Sequence, residues 1–367
     1  MRRKSEAKYL SLWPLSVFVL VGAFALASTP TPACCPARPI SGKPVVNADQ
    51  TVILIWDPAT KTEHFIRRAS FQGDATDFGF VVPSPSQPEL SESGNEAFPY
   101  LQKITEPEHL KAPRSGGSVG CGCGMKTREA HTGKAQPEVR TLEEKVVAGY
   151  KASVLEADSS AALVRWFKEH GYAFSPEVEA WAKPYVEAKW KFTALKIDKP
   201  RKAEDASRVG TQALRLSFKT DRPLFPYREP NPEKDAEAVG AKHRLLRIYF
   251  ISDAKYHGDL KAAATWTGQA VWAGELDAKQ RAAVLELLNL PPTTGPAKWW
   301  LTEFEDDWPY RDAPSDVYFT RDREQTPVRR PPIYEYTSVP WPADGAVYLL
   351  AFALVMPPVF RRFRRAS

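Results

Sequence analysis

The chain has 367 residues, 43% hydrophobic and 26% charged, a globular balance that argues against wholesale disorder, a collagen-like repeat or many membrane spans. Its formal net charge of +6 lies in the two ends, since residues 1–8 carry +3 and residues 361–367 carry +4, which leaves −1 for the rest. Nucleic-acid-binding proteins place their cations on a folded face, so this balanced body argues against a nucleic-acid partner.

The first 27 residues have the three parts of a secretory signal peptide. A basic stretch at 1–8 precedes an apolar run at 10–26, and Ala25-Leu26-Ala27 fits the small-x-small cleavage pattern. We therefore predict that residues 1–27 direct export and that the body folds outside the cytoplasm. The alternatives are an N-terminal anchor that stays uncleaved and, given Cys34, a lipoprotein.

Residues 28–308 are predicted to form an exported α+β body of mostly antiparallel strands with inserted helices. Asp158 or Ser159 can cap a helix that runs to His170, and Asp277 begins a later helix with Gln280 at capping-box spacing. A further helix restarts after Ser175-Pro176. Apolar runs bounded by turn residues predict strands at 51–56 and 63–71, which form a hairpin, and at 77–83, 139–156, 190–197, 214–218, 245–251, 265–272 and 299–304.

Two segments rich in proline or glycine lack any periodic pattern. Residues 105–138 are predicted to be a long flexible loop, and structureless loops of that length are usually functional or disordered. Residues 309–343 combine several prolines with scattered charges, a composition that predicts a semi-rigid stalk after the body.

Residues 344–361 are predicted to form one transmembrane helix. The uncharged apolar run at 345–360 would rise about 24 Å, somewhat less than the ~30 Å hydrocarbon core. Arginines that follow the run can snorkel to the inner interface, and the positive-inside rule places residues 362–367 in the cytoplasm. The prediction is therefore a single-pass protein of the cell membrane. The alternatives are a helix docked on the body and a cleaved sorting signal that begins at Val339-Pro340-Trp341-Pro342.

Four cysteines are the best lead to a site: Cys34, Cys35, Cys121 and Cys123. An exported chain matures where thiols oxidise, and a bond between neighbours closes a strained ring, so disulfides that link one pair to the other are favoured. Four thiolates would also suit Zn²⁺ or Cu⁺, although neither spacing is the common two-residue gap. A redox-active thiol pair is the third interpretation.

Other candidate motifs are weaker. Residues 116–120 match the G-x-S-x-G pattern around Ser118, but no strand precedes and no helix follows as a nucleophile elbow requires. Glu303, Glu305, Asp306 and Asp307 stand beside several tryptophans, which fits a carbohydrate or Ca²⁺ site or, more simply, a solvated strand end.

Several stretches of the chain resemble a bacterial family known as domain of unknown function 2330. They are residues 48–57 (ADQTVILIWD), 61–71 (KTEHFIRRASF), 77–90 (DFGFVVPSPSQPEL), 34–37 (CCPA), 121–124 (CGCG) and 163–181. The resemblance covers roughly residues 30–335. It implies export and an N-terminal cysteine pair, and it implies no activity.

Together these features predict a membrane-anchored extracytoplasmic protein that works as a non-enzymatic binding or envelope-support domain, without a cofactor. One alternative is a metal-binding or thiol-redox module built on the four cysteines. The other is a hydrolase with an unrecognised site, which would show a pocket with perturbed carboxylates.

Overall fold

The computed structural model describes residues 35–37, 45–47, 49–68, 71–73, 79–112, 139–172, 177–197, 213–230, 232–261, 265–307, 310 and 313–336. The predicted signal peptide and the predicted transmembrane helix at 344–361 lie outside these residues. Within the described part of the chain, no helix is both long enough and apolar enough to cross a membrane.

The described residues form five helices and nineteen strands. The helices are α1 (Ala97–Thr105), α2 (Ser160–Glu169), α3 (Val178–Glu187), α4 (Pro232–Val239) and α5 (Ala278–Leu287). The strands are β1 (Cys35–Ala37), β2 (Val45–Asn47), β3 (Gln50–Asp57), β4 (Thr62–Arg68), β5 (Phe71–Gly73), β6 (Gly79–Ser84), β7 (Glu89–Ser93), β8 (His109–Ala112), β9 (Val139–Val147), β10 (Tyr150–Ala157), β11 (Lys191–Ile197), β12 (Ala213–Lys219), β13 (Leu224–Phe225), β14 (Leu245–Ser252), β15 (Tyr256–Leu260), β16 (Gln269–Leu276), β17 (Trp299–Asp307), β18 (Val317–Arg321) and β19 (Ile333–Tyr336).

Two large sheets organise the body. One has seven strands in the order β16-β17-β14-β3-β4-β12-β7, and the other has five in the order β1-β6-β11-β10-β9. Apart from the parallel pairs β3–β14 and β8–β19, the pairings between strands are antiparallel. The predicted α+β class with mostly antiparallel strands is therefore confirmed, and so is the β3–β4 hairpin.

The apolar core has three layers, because the two sheets pack against each other and each is covered by helices on its other face. Val52 and Leu54 of β3 point into the apolar layer shared with the five-stranded sheet, whereas Ile53 and Ile55 pack under α1 and α5. The third layer lies between the five-stranded sheet and helices α2 and α3, around Trp181. Each sheet therefore packs against the other sheet on one face and against two helices on the opposite face, which leaves little open sheet surface for a binding site.

Local sequence signals set the ends of two helices as predicted. The Ser159 side chain accepts a hydrogen bond from the Ala162 amide at 3.1 Å and caps α2, which decides between the two predicted caps. At α5, Asp277 and Gln280 form the reciprocal capping box. The α2 helix is followed by Gly171 in the left-handed region (φ 79°), where glycine carries no Cβ penalty.

Two loop and strand predictions need correction. Residues 139–156 are two strands, since Ala148 and Gly149 both have positive φ (52° and 79°) and turn β9 into β10 as a hairpin. In the predicted loop at 105–138, β8 pairs with β19, and residues 113–138 lie outside the described residues.

The stalk prediction is wrong for residues 313–321. Val317 and Phe319 are fully buried in the core between the sheets, and β18 forms a three-stranded sheet with β13 and β15. The predicted boundary at residue 308 therefore lies too early. The prolines in this segment resemble a linker in composition, but they lie outside β18, which is the central strand between β13 and β15.

Candidate functional site

The cysteines predicted to form the site are mostly outside the described residues. Cys34, Cys121 and Cys123 are not among them, and Cys35 is described only as part of β1, opposite Val81 of β6. The structure thus does not test the disulfide or metal interpretations. Among the described residues, no group of three or more histidine, cysteine, aspartate and glutamate side chains could hold a metal ion.

The acidic cluster at the end of β17 is not a solvated strand end. Side chains alternate along a strand, so Glu303 and Glu305 face the helices while Asp306 faces the core between the sheets. Glu303 and Asp306 are fully buried, whereas Asp307 is exposed. The alternation of side chains along β17 therefore places these carboxylates on opposite faces of the sheet. They do not form the single acidic site that their closeness in sequence suggested.

Two arginines neutralise the carboxylates on the helix-covered face. Arg247 Nε lies 2.8 Å from Glu303 Oε1, and Arg330 Nη2 lies 2.7 Å from the same oxygen and 2.8 Å from Glu305 Oε1. Burial raises the pKa of Glu303 despite these partners. For Glu305, burial acts in the same direction, but hydrogen bonds from Arg330 and Arg247 prevail and lower its pKa. Each carboxylate has an arginine partner, so losing one member of the network would leave a buried charge unpaired.

A serine and a histidine meet on the same face of the seven-stranded sheet. The Ser217 hydroxyl of β12 lies 2.8 Å from His64 Nδ1 of β4, its direct cross-strand neighbour. A hydrolase would need a carboxylate to orient the ring. The nearby Asp57 accepts from the Ala59 amide and the Thr60 hydroxyl instead, so the pair is a structural cross-strand contact.

The His64 ring gives the protein a measurable acid sensitivity. Burial, together with Arg215, lowers the pKa of His64 from 6.5 to about 4. Below pH 6.5 the unfolded chain takes up a proton that the folded chain refuses until about pH 4, so stability falls across that window. Between pH 7 and pH 4.5 the loss attributable to this ring should be about 2–3 kcal/mol.

The comparison variant is His64→Gln, which keeps a hydrogen-bonding group beside Ser217 but does not titrate. Urea denaturation of the full chain in neutral detergent should show a smaller loss of stability on acidification for this variant than for the wild type. Equal losses in the two proteins would contradict the lowered pKa.

The described residues also enclose a cleft beside the C-terminal end of α2. It has a volume of about 380 Å³ and lies over the face of β9, β10 and β11 that this helix leaves uncovered. The residues that line it are Glu144, Lys145, Val146, Lys151, Ala152, Ser153, Trp166, His170, Tyr172 and Lys196. Volumes of this size are typical of small-ligand sites.

Two lysines lie on the floor of the cleft. Lys151 of β10 is the direct cross-strand neighbour of Lys196 of β11, and Ser153 follows on the same face. Like charges at opposed positions destabilise a sheet, so this pair has a cost that an anion in the cleft would offset. Glu144 of β9 lies directly across from Ser153, whose hydroxyl donates to it at 3.4 Å, so the lysine pair stands beside one carboxylate.

Stacked rings form the wall. The His170 ring lies 3.8 Å from the Trp166 ring at an angle of 13°, as the i, i+4 spacing on α2 allows. His170 Nδ1 lies 2.8 Å from the Trp166 carbonyl oxygen, so Nδ1–H donates and Nε2 is the acceptor of the neutral ring. Trp166 is almost fully buried and His170 is exposed, so the tryptophan holds the imidazole in place.

Gly79 of β6 lets the Tyr172 ring lie close to the sheet. A Cβ on Gly79 would lie 2.8 Å from the Tyr172 ring and 2.3 Å from the Leu195 carbonyl oxygen. The ring therefore lies directly on β6, and Lys196 Nζ sits 5.9 Å from its centroid. This close approach fixes one side of the cleft beside the Lys196 ammonium group.

Comparison with known proteins identifies one relationship. A family model described as an uncharacterised protein conserved in bacteria, domain of unknown function 2330, matches residues 29–320. The chain belongs to this family. No curated protein and no solved structure matches the chain. The resemblance found in the sequence is thereby confirmed.

The family match covers the cleft and leaves out the C-terminal strand. All residues that line the cleft lie between 144 and 196, inside the matched segment of this domain-of-unknown-function 2330 protein. Arg330 and β19 lie beyond it. Sequence reasoning missed the cleft because its floor comes from three strands whose charged residues look like an ordinary solvated face.

Proposed function

We propose that this protein is a membrane-anchored extracytoplasmic binding domain whose α2 cleft takes an anionic, sugar-sized ligand. Export rests on the basic and apolar start at residues 1–27, and anchoring rests on the apolar run at 345–360 with its arginines. The single observation that carries the binding proposal is the opposed pair Lys151 and Lys196 on the floor of an open cleft.

The charge arrangement supports an anion. Ammonium groups form charge-assisted hydrogen bonds with carboxylate or phosphate oxygens, which are stronger than neutral ones. Cross-strand geometry fixes where Lys151 and Lys196 leave the sheet, so the two cations are partly pre-organised for one ligand. Two exposed lysines on a flat surface would not be held close together in this way.

The other lining groups support a ligand that also carries hydroxyls. Ser153 has a hydroxyl, and His170 Nε2 can accept a hydrogen bond from a ligand while the stacked Trp166 holds the ring. Val146, which is 61% exposed at the edge strand, gives the cleft one apolar contact. An acidic saccharide combines carboxylates, hydroxyls and small apolar faces, so it fits all of these groups.

Binding is tested by titration calorimetry of the full chain in neutral detergent, with digalacturonate as the acidic probe and lactose as the neutral one. We expect saturable binding of digalacturonate alone. Lys151→Gln and Lys196→Gln should each weaken it by roughly ten- to a hundredfold, since one charge-assisted contact is worth roughly 1.5–3 kcal/mol.

The matched control is Lys183→Gln, the same change on the exposed face of α3 and outside the cleft. It should leave the affinity unchanged. Equal binding of lactose, or an equal loss for all three lysine variants, would show that the cleft does not select anions.

A further inference from the structure

The second surface of interest is the two-stranded sheet formed by β8 and β19, which we call the β8–β19 ribbon. Its parallel register places Tyr334 directly beside Leu110 and Ile333 beside His109. Leu110, Ile333 and Tyr334 are 42%, 47% and 49% exposed. Of the four large hydrophobic side chains exposed in the described part of the chain, three belong to this ribbon.

The ribbon is fixed to the body although it is small. The Ile333 amide donates to the Glu108 carbonyl oxygen at 2.8 Å and joins the two strands to each other. Val328, just before β19, exchanges two backbone hydrogen bonds with Ala273 of β16 and so ties the ribbon to the body. Arg330 reaches into the sheet to Glu303 and donates from Nε to the Thr105 carbonyl oxygen at 3.0 Å. Isolated two-stranded sheets are marginal in water, so these contacts hold the ribbon in one position.

The chain that follows the ribbon leads to the predicted membrane anchor. Tyr336 ends β19, and the apolar run begins nine residues later at Gly345. Nine residues span at most about 32 Å, so the ribbon lies within that distance of the first residue of the run. A ribbon fixed on the body and tethered so closely stays near the point where the chain enters the bilayer.

The exposed side chains have the chemistry of a membrane interface. Tyrosine is enriched at the headgroup level because its ring is apolar and its hydroxyl stays hydrated. Leu110 lies beside Tyr334 and adds apolar area that water would otherwise cover. Val146, the fourth exposed hydrophobic residue, lies on β9 in the five-stranded sheet and has no such link to the anchor.

We infer that the β8–β19 ribbon rests on the outer lipid surface, with Tyr334 and Leu110 in the headgroup region, and so sets the orientation of the body on the membrane. This inference rests on the membrane anchoring of the proposed function. The occupant is lipid, since the apolar patch is continuous along the chain with the segment predicted to enter the bilayer.

The experiment places the photo-crosslinking amino acid p-benzoyl-phenylalanine at position 334 of the full chain. The protein is reconstituted into vesicles of phosphatidylcholine and phosphatidylglycerol that contain alkyne-tagged phosphatidylcholine, floated on a density gradient and then irradiated. The matched control carries the same amino acid at position 146. Both sites are exposed in the structure, so neither replacement disturbs the core.

We expect both proteins to float with the vesicles and lipid to crosslink several-fold more strongly at position 334 than at position 146. Flotation with equal or absent crosslinking at the two positions would overturn the ribbon contact and leave the anchor standing. A chain that does not float would overturn both the anchor and the inference that depends on it.

Discussion

Replacing Arg244 with methionine is expected to lower the free energy of unfolding by about 3–5 kcal/mol, the usual cost of leaving one member of a buried ion pair alone. Arg244 and Glu229 form a two-point pair with both nitrogen–oxygen distances at 2.7 Å, and their side chains are 1% and 4% exposed. Asn47 also donates to Glu229, and the Tyr310 ring lies 4.2 Å from the guanidinium. The variant would leave the buried Glu229 carboxylate without its arginine partner.

Two controls separate the charge effect from lost packing. In the double variant Arg244→Met with Glu229→Leu, no charge is left unpaired, so most of the lost stability should return. Lys61→Met breaks the exposed pair with Asp221, whose side chains are 62% and 90% exposed, and should leave the free energy of unfolding almost unchanged. Urea denaturation measures all three, and equal costs for Arg244→Met and Lys61→Met would contradict the prediction.

Trp181→Ala is expected to destabilise the protein by about 3–5 kcal/mol through the cavity it leaves between α3 and the five-stranded sheet. Trp181 is fully buried and contacts the rings of Tyr185 at 5.4 Å and Phe192 at 6.1 Å. Its Nε1–H donates to the Arg228 carbonyl oxygen at 3.0 Å, so the substitution also removes a buried hydrogen bond.

Trp190→Ala is the matched control, because Trp190 packs against the same cluster but is only partly buried. It should cost clearly less than Trp181→Ala in the same denaturation experiment. Trp181→Phe should fall between the two, since it retains most of the apolar volume but loses the indole donor. Equal costs at positions 181 and 190 would show that burial does not decide the effect.

Features determined by neighbouring residues could be predicted from the sequence. The apolar run at residues 51–56 and the short turn after it defined the β3–β4 hairpin, and the spacing of Asp277 and Gln280 defined the start of α5. The turn at Ala148-Gly149 was missed because only Gly149 gives a turn signal, while Ala148 adopts a positive φ that its residue type does not announce.

The sequence by itself determined the α+β class, the family and the starts of α2 and α5, since each depends on composition or on residues a few positions apart. Only the tertiary structure decided which charges are buried. Glu303 is neutralised by Arg330, 27 residues away, and Lys151 meets Lys196 across a strand pair 45 positions apart. The same holds for β18, the central strand between β13 and β15, because the proline-rich composition around it gives no sign of that pairing. The physical reason is that burial and charge pairing are properties of the space between elements, and a local pattern carries no information about which distant element fills that space.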